Sequence, residues 1–135
     1  MKLDDLEIYK YAMDLGEKIW EIVMQWQHFE KNNMGSQLVR SCDSIAANIS
    51  EGWGRQTYRE NRNFLYIARG SLFETKTWLT KAFNRKLVSA EYFETLANDF
   101  NILGIKLNRF ITANEKNISK TNNTKQISPK ANITK

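Results

Sequence analysis

Ser44-Ile45-Ala46-Ala47-Asn48-Ile49-Ser50-Glu51-Gly52-Trp53-Gly54-Arg55, followed by Ile67-Ala68-Arg69-Gly70-Ser71-Leu72, is the stretch whose reading decides the fold. Ile45 and Ile49 recur one helical turn apart, and Ala46 and Ala47 permit close approach of a neighbouring helix. Gly52 stands where a left-handed C-cap residue is wanted, so the helix is expected to end there. Trp53, Gly54 and Arg55 then make a short turn. Thr57 with Glu60 three residues on is a capping box, which starts the next helix. That helix presents Arg69, Gly70 and Ser71 beside its apolar seam.

Working outward, the same three/four spacing appears four times. The first helix is expected from about Asp4 to Trp26, with Leu6, Tyr9, Met13, Gly16, Trp20 and Val23 as its seam and Ala12, Ile19 and Trp26 widening one flank. Gln27 to Asn33 is polar and reads as a loop. The second helix spans about Gly35 to Glu51, with Leu38, Cys42, Ile45 and Ile49 facing inward. The third carries Leu65, Ala68, Leu72, Thr75, Leu79 and Ala82 and stops near Phe83 or Asn84. Ser89 is the expected N-cap of the fourth, whose seam is Leu96, Phe100, Leu103, Leu107 and Phe110. Short connections favour antiparallel neighbours. The expected fold is all-α, an antiparallel up-down-up-down four-helix bundle over residues 1–113, followed by a disordered Lys/Asn-rich basic tail over 114–135.

Composition agrees. At 135 residues the chain has room for one core, and a single proline with six glycines suits helices better than a turn-rich β fold. No apolar run reaches the roughly 20 residues that span a bilayer, so no membrane partner is expected. One cysteine, Cys42, rules out an internal disulfide framework, and the absence of a signal-peptide core points to the cytoplasm. The net charge of +5 belongs mostly to the tail. Residues 114–135 hold five lysines and one glutamate, a balance of +4, which leaves +1 on residues 1–113. Nucleic-acid binding by the bundle must therefore rest on where its arginines cluster.

Catalytic and metal chemistry find little support. His28 is the sole histidine and lies in a polar stretch without a cysteine or acidic ligand pattern, so neither a metal site nor a cofactor is expected. Cys42 falls on an apolar seam and reads as a small core residue. Gly52-Trp53-Gly54 follows a helix, which is the wrong setting for a phosphate-cradling loop.

Two clusters stand out. Around the turn, Arg55, Arg59 and Arg62 could hold phosphate beside the free N–H groups of a helix start, while Trp53 or Tyr58 stacks on a base. The competing account pairs these arginines with Glu51 and Glu60 and lays Trp53 over the bundle end. On the third helix, Arg62, Tyr66, Arg69, Phe73 and Lys76 flank the seam on one side, and Phe64, Ser71 and Trp78 recur on the other. Apolar side chains on both flanks point to an oligomer contact through Phe64, Phe73 and Trp78, or else to a wide core. Glu74 is either a plain exposed carboxylate or an ion-pair partner of an arginine on a neighbouring subunit.

These residues carry a resemblance. From Leu6-Glu7-Ile8-Tyr9 through Gly35-Ser36-Gln37-Leu38-Val39-Arg40, Ser44-Ile45, Asn48 to Arg55, Ile67 to Leu72 and Glu74, the chain resembles the four-helix-bundle proteins encoded within intervening sequences of bacterial 23S ribosomal RNA genes. That family is similar in fold to the accessory variability proteins of diversity-generating retroelements, which form pentameric barrels and assist a reverse transcriptase. The resemblance implies a homopentamer, with RNA, a ribonucleoprotein or a reverse transcriptase as partner, and no established activity. Two functions are thus in view. One is an RNA-binding accessory protein presenting Arg40, Arg55, Arg59, Arg62 and Arg69. The other is an oligomeric interaction scaffold whose arginines are structural.

Overall fold

The computed structural model describes residues 1–121; the rest of the expected tail, 122–135, lies outside the described residues. Four long helices account for most of it: α1 (Glu7–Met24), α2 (Ser36–Trp53), α3 (Tyr58–Asn84) and α4 (Ala90–Lys120). Each packs against its chain neighbours, and α4 closes back on α1. Cross-links fix the directions. Ser41 meets Thr75 and Ser44 meets Ser71, so α2 and α3 are antiparallel. Glu7 meets Lys106 and Lys18 meets Asp99, so α1 and α4 are too. The fold is an up-down-up-down bundle, as expected.

The α3 seam is the one anticipated: Leu65, Ala68, Leu72, Thr75, Leu79 and Ala82 are all buried. Both expected N-caps form. Thr57 Oγ1 accepts from the Glu60 amide at 3.1 Å, and Ser89 Oγ accepts from the Tyr92 amide at 3.1 Å. At the other end of α3, Lys86 adopts φ 65°, while the Leu87 amide donates to Ala82 O and the Lys86 amide to Phe83 O. This is a Schellman ending with lysine in the position that usually falls to glycine.

In α1 and at its ends the expected Leu6, Gly16 and Val23 and the flanking Ala12, Ile19 and Trp26 are buried, but the core row is shifted by about one position toward that flank. Ile8, Ala12, Leu15, Ile19 and Ile22 face the core, whereas Met13 and Trp20 stand 44% and 50% exposed. Both rows alternate threes and fours, about 100° apart, so spacing alone cannot choose between them. Burial chooses the row of isoleucines and leucine.

Three further expectations are corrected. Gln27–Asn33 is no loop. A single turn at His28–Glu30 and a π-helical segment at Lys31–Gly35 run straight into α2. Its turns pack Gly35 so tightly on α1 that a Cβ there would lie 2.6 Å from Val23 Cγ1, and Trp26 Nε1 donates to Leu87 O at 3.1 Å. Gly52 is not a left-handed cap, because no described glycine has positive φ and α2 continues through Trp53. Glycine is needed there for close approach: a Cβ would sit 2.8 Å from Asn61 Oδ1 and 2.9 Å from Phe64 Cβ. Finally, α4 does not fade at Ala113. It runs to Lys120 with Asn114 and Ile118 buried, so the bundle extends beyond the expected 1–113 boundary.

Candidate functional site

The turn between α2 and α3 does not form a stacking site. Trp53 is 5% exposed and Tyr58 2%, and both belong to the hydrophobic core, so neither offers a ring face to a base. This corrects their expected role. An indole or phenol near a helix end covers apolar surface while its polar atom finds a partner at the rim. Arg55 is also committed: its guanidinium donates to Glu51 at 3.0 Å and lies 4.7 Å above the Phe64 ring. Arg40 donates to Gln37 on its own helix, about 20 Å along α2 from Trp53 at 1.5 Å per residue. It is therefore not part of that cluster. Arg59 is exposed and makes no ion pair among the described residues.

The other arginines belong to a seam between α3 and α4. Arg62 and Arg69 lie over the Tyr66 ring at 5.4 and 5.2 Å. Tyr66 donates to Glu115 at 2.7 Å, a bond that raises the phenol above its ordinary pKa. Arg69 donates to Asn108 Oδ1 at 3.0 Å, and Lys76 to Asn101 Oδ1 at 2.8 Å. Three rungs thus join Lys76, Arg69 and Tyr66 on α3 to Asn101, Asn108 and Glu115 on α4, seven residues apart along α4. Arg69 and Lys76 are met by neutral amides, so their charge is held in place without being neutralised. At the level between the first two rungs, Phe73 and Ile105 are 60% and 55% exposed. Lys76 Nζ lies 5.4 Å from the Phe73 ring.

Of the expected aromatic contact residues, Phe73 is the most open. Phe64 is half-buried beneath Arg55. Trp78 is half-buried and donates to the exposed Glu74 at 3.1 Å, an intrahelical partner for that carboxylate. Trp78 also lines a cleft of about 530 Å³ with Phe29, Met34, Arg85 and Leu87 at the far end of the bundle.

A second surface lies opposite. Between α1 and α2, a groove of about 360 Å³ is floored by Ala12, Ala46 and Ala47 and walled by Tyr9 and Met13, with Glu17, Asp43 and Ser50 on its rim. Its charged residues are both carboxylates. Burial, and then the neighbouring Glu17, push the Asp43 carboxyl above the usual range. Trp20 and Met24 continue the exposed apolar row along α1, at 50% and 47%. Spacing alone did not show this surface, because it gave Met13 and Trp20 to the core. Asn101 and Asn108 were missed because neutral amides leave no trace in charge patterning.

No catalytic constellation stands out among the described residues. Cys42 is wholly buried, which raises its thiol to about 12, and Asp43 adds to the shift. His28 is exposed with Asn32 beside it. No group of three or more metal-ligating side chains occurs among the described residues, and no described helix is long and apolar enough to cross a membrane.

The fold defines an all-α four-helix-bundle protein. The family model for the 23S rRNA-intervening sequence protein matches residues 4–109, and the chain belongs to that family. A crystal structure of a protein of unknown function from the S23 ribosomal protein family of Bacteroides thetaiotaomicron is similar, with a TM-score of 0.69 and 26% identity. The match covers 77% of this chain and 97% of that one. No curated protein matches.

Proposed function

We propose that this protein is a non-enzymatic homo-oligomeric scaffold of the cytoplasm, whose working form is the assembly. The carrying observation is the exposed apolar surface on two separate faces, Met13, Trp20 and Met24 on α1 and Phe73 with Ile105 at the α3·α4 seam. Exposed apolar side chains gathered on a face in this way mark association surfaces. The resemblance to pentameric barrel proteins favours five copies. Arginines engaged with Glu51, Tyr66 and Asn108 fit a structural role better than a ligand-seeking one. Sedimentation equilibrium of the full chain at micromolar concentration tests this reading: a discrete oligomer is expected, and a monomer would overturn it.

A second reading has its own observation. Arg69 and Lys76 rest on amides, with Arg59 and Arg62 further along the same row, so the seam offers unneutralised cations to RNA phosphates. RNA, or a ribonucleoprotein or reverse transcriptase carrying it, would then be the partner. Filter binding at several salt concentrations, with a chain ending at Thr121 to remove the lysines beyond it, separates the two. Loss of affinity on replacing Arg59 and Arg69 by glutamine supports RNA recognition, and unchanged affinity removes it.

A further inference from the structure

The two exposed faces are complementary. Because the four helices contact one another in a closed cycle, the α3·α4 seam and the α1·α2 groove lie on opposite sides of the bundle. The seam projects an apolar knob, Phe73 beside the level of Ile105, with Lys76 on one side and Arg69 on the other. The groove is lined by alanines, with Tyr9 and Met13 as walls and the carboxylates of Glu17 and Asp43 at one end. Small residues make room for an aromatic ring, and the carboxylates supply the charge that the cations lack.

From this the geometry points to a head-to-tail contact in which the Phe73 knob of one copy seats in the Ala46–Ala47 groove of the next. One flanking cation, Lys76 or Arg69, then meets Glu17 and Asp43. The assignment rests on the homo-oligomeric reading and adds which surfaces meet and in what sense. The occupant is a second copy because the groove's chemistry matches a surface of this same chain in shape class and in charge. Facing a groove to another groove would set Glu17 and Asp43 against their own equivalents, a like-charge contact that costs affinity. Lys76 and Arg69 are already held by Asn101 and Asn108, so less side-chain freedom is lost on docking than for free lysines and arginines. A contact between two different faces leaves each end open, so copies add on until the rotation closes a ring.

A contact of this sense makes a specific demand on mixing. Full-length Phe73→Asp lacks a knob and keeps its groove, while full-length Glu17→Lys/Ala47→Trp lacks a groove and keeps its knob. Each alone should need about tenfold or more higher concentration for half-assembly, measured by sedimentation. Mixed in equal amounts, they should form a 1:1 heterodimer that grows no further. Ile105→Asp gives an independent knob variant, and circular dichroism with a melting curve confirms that each chain is folded. If the wild-type chain is a monomer, the oligomeric reading itself fails. If the wild type assembles and the knob variants assemble equally well, or if both variant types dissociate but their mixture stays monomeric, only the head-to-tail assignment fails.

Discussion

Thr75 and Ser41 face each other across the buried α2·α3 interface with their hydroxyl oxygens 3.1 Å apart. Ser41 also reaches Leu38 O at 3.1 Å, and Thr75 reaches Ser71 O at 2.8 Å. The two protons have three acceptors within reach, so both are used whichever way the pair is oriented. The ladder continues outward through Ser71 and Ser44, 3.0 Å apart, to Asn48, which donates to Ser44 Oγ at 2.9 Å. Apolar packing alone would let α2 slide along α3 by a turn at modest cost. Matched hydroxyls penalise that shift, because each would lose its partner across the interface and keep only a carbonyl of its own helix.

Thr75→Val keeps the shape at a site with no exposed surface and removes the hydroxyl. A loss of about 1 kcal/mol is expected in urea unfolding, since Ser41 keeps Leu38 O and only part of the network is orphaned. Ser41→Ala/Thr75→Val should cost less than the sum of the two single changes, because removing both partners leaves no hydroxyl stranded. An additive double mutant would mean the pair is not coupled.

Two glycines should respond to alanine with opposite signs. At Gly52 a Cβ meets Asn61 Oδ1, Phe64 Cβ and the Asn61 carbonyl, all within 3.1 Å, so α2 and α3 must separate at the turn. Gly52→Ala should cost about 1–3 kcal/mol. At Gly70 nothing lies within 4 Å, and alanine there should stabilise α3 by about 0.5–1 kcal/mol. Thermal melts of the two variants decide this, and equal shifts would contradict the packing.

Truncation now carries a different expectation from the one composition suggested. Ending the chain after Ala113 removes Ile118 and Asn114, both buried, from the last turns of α4. A chain ending at Ala113 should melt several degrees below one ending at Thr121. Equal melting temperatures for the two would show that the last turns of α4 contribute nothing.

The sequence was most legible where one reading had no equally good rival. The α3 seam and both N-caps are of this kind, because Thr57 with Glu60 and Ser89 before Ala90 leave few alternatives. It was least legible where two rows competed. In α1 the Met13–Trp20 row and the Leu15–Ile19 row are equally periodic, and only the partner helices distinguish them. Asn114 and Ile118 looked like tail because they are isolated among polar residues, yet α4 is long enough to carry them under the bundle end. At the candidate surfaces, Phe73 was readable as an open aromatic, and the competing account of Arg55 with Glu51 and of a buried Trp53 is the one observed. The groove was invisible because it depends on α1 turning by one position.

Asp43 gives a pH-dependent signature of that groove. Partial burial and the facing Glu17 raise its pKa in the folded chain. A carboxyl whose folded pKa is raised is bound to its proton more tightly folded than unfolded. Its charge therefore costs stability once pH rises above the ordinary aspartate range, and the cost is complete above the raised value. Asp43→Asn should melt higher than wild type at neutral pH, with the gap closing as pH falls below the ordinary aspartate value. The gap should be small, about a degree or two, because the group is largely open to water. Docking of Lys76 or Arg69 from a second copy would reverse the sign by giving the carboxylate a partner, so the comparison belongs in the Phe73→Asp background. In the assembling chain the same Asp43→Asn change should weaken association while stabilising the dissociated fold. A variant that melts lower than its parent at pH 7 in the Phe73→Asp background would show that the Asp43 carboxylate is stabilising where it sits.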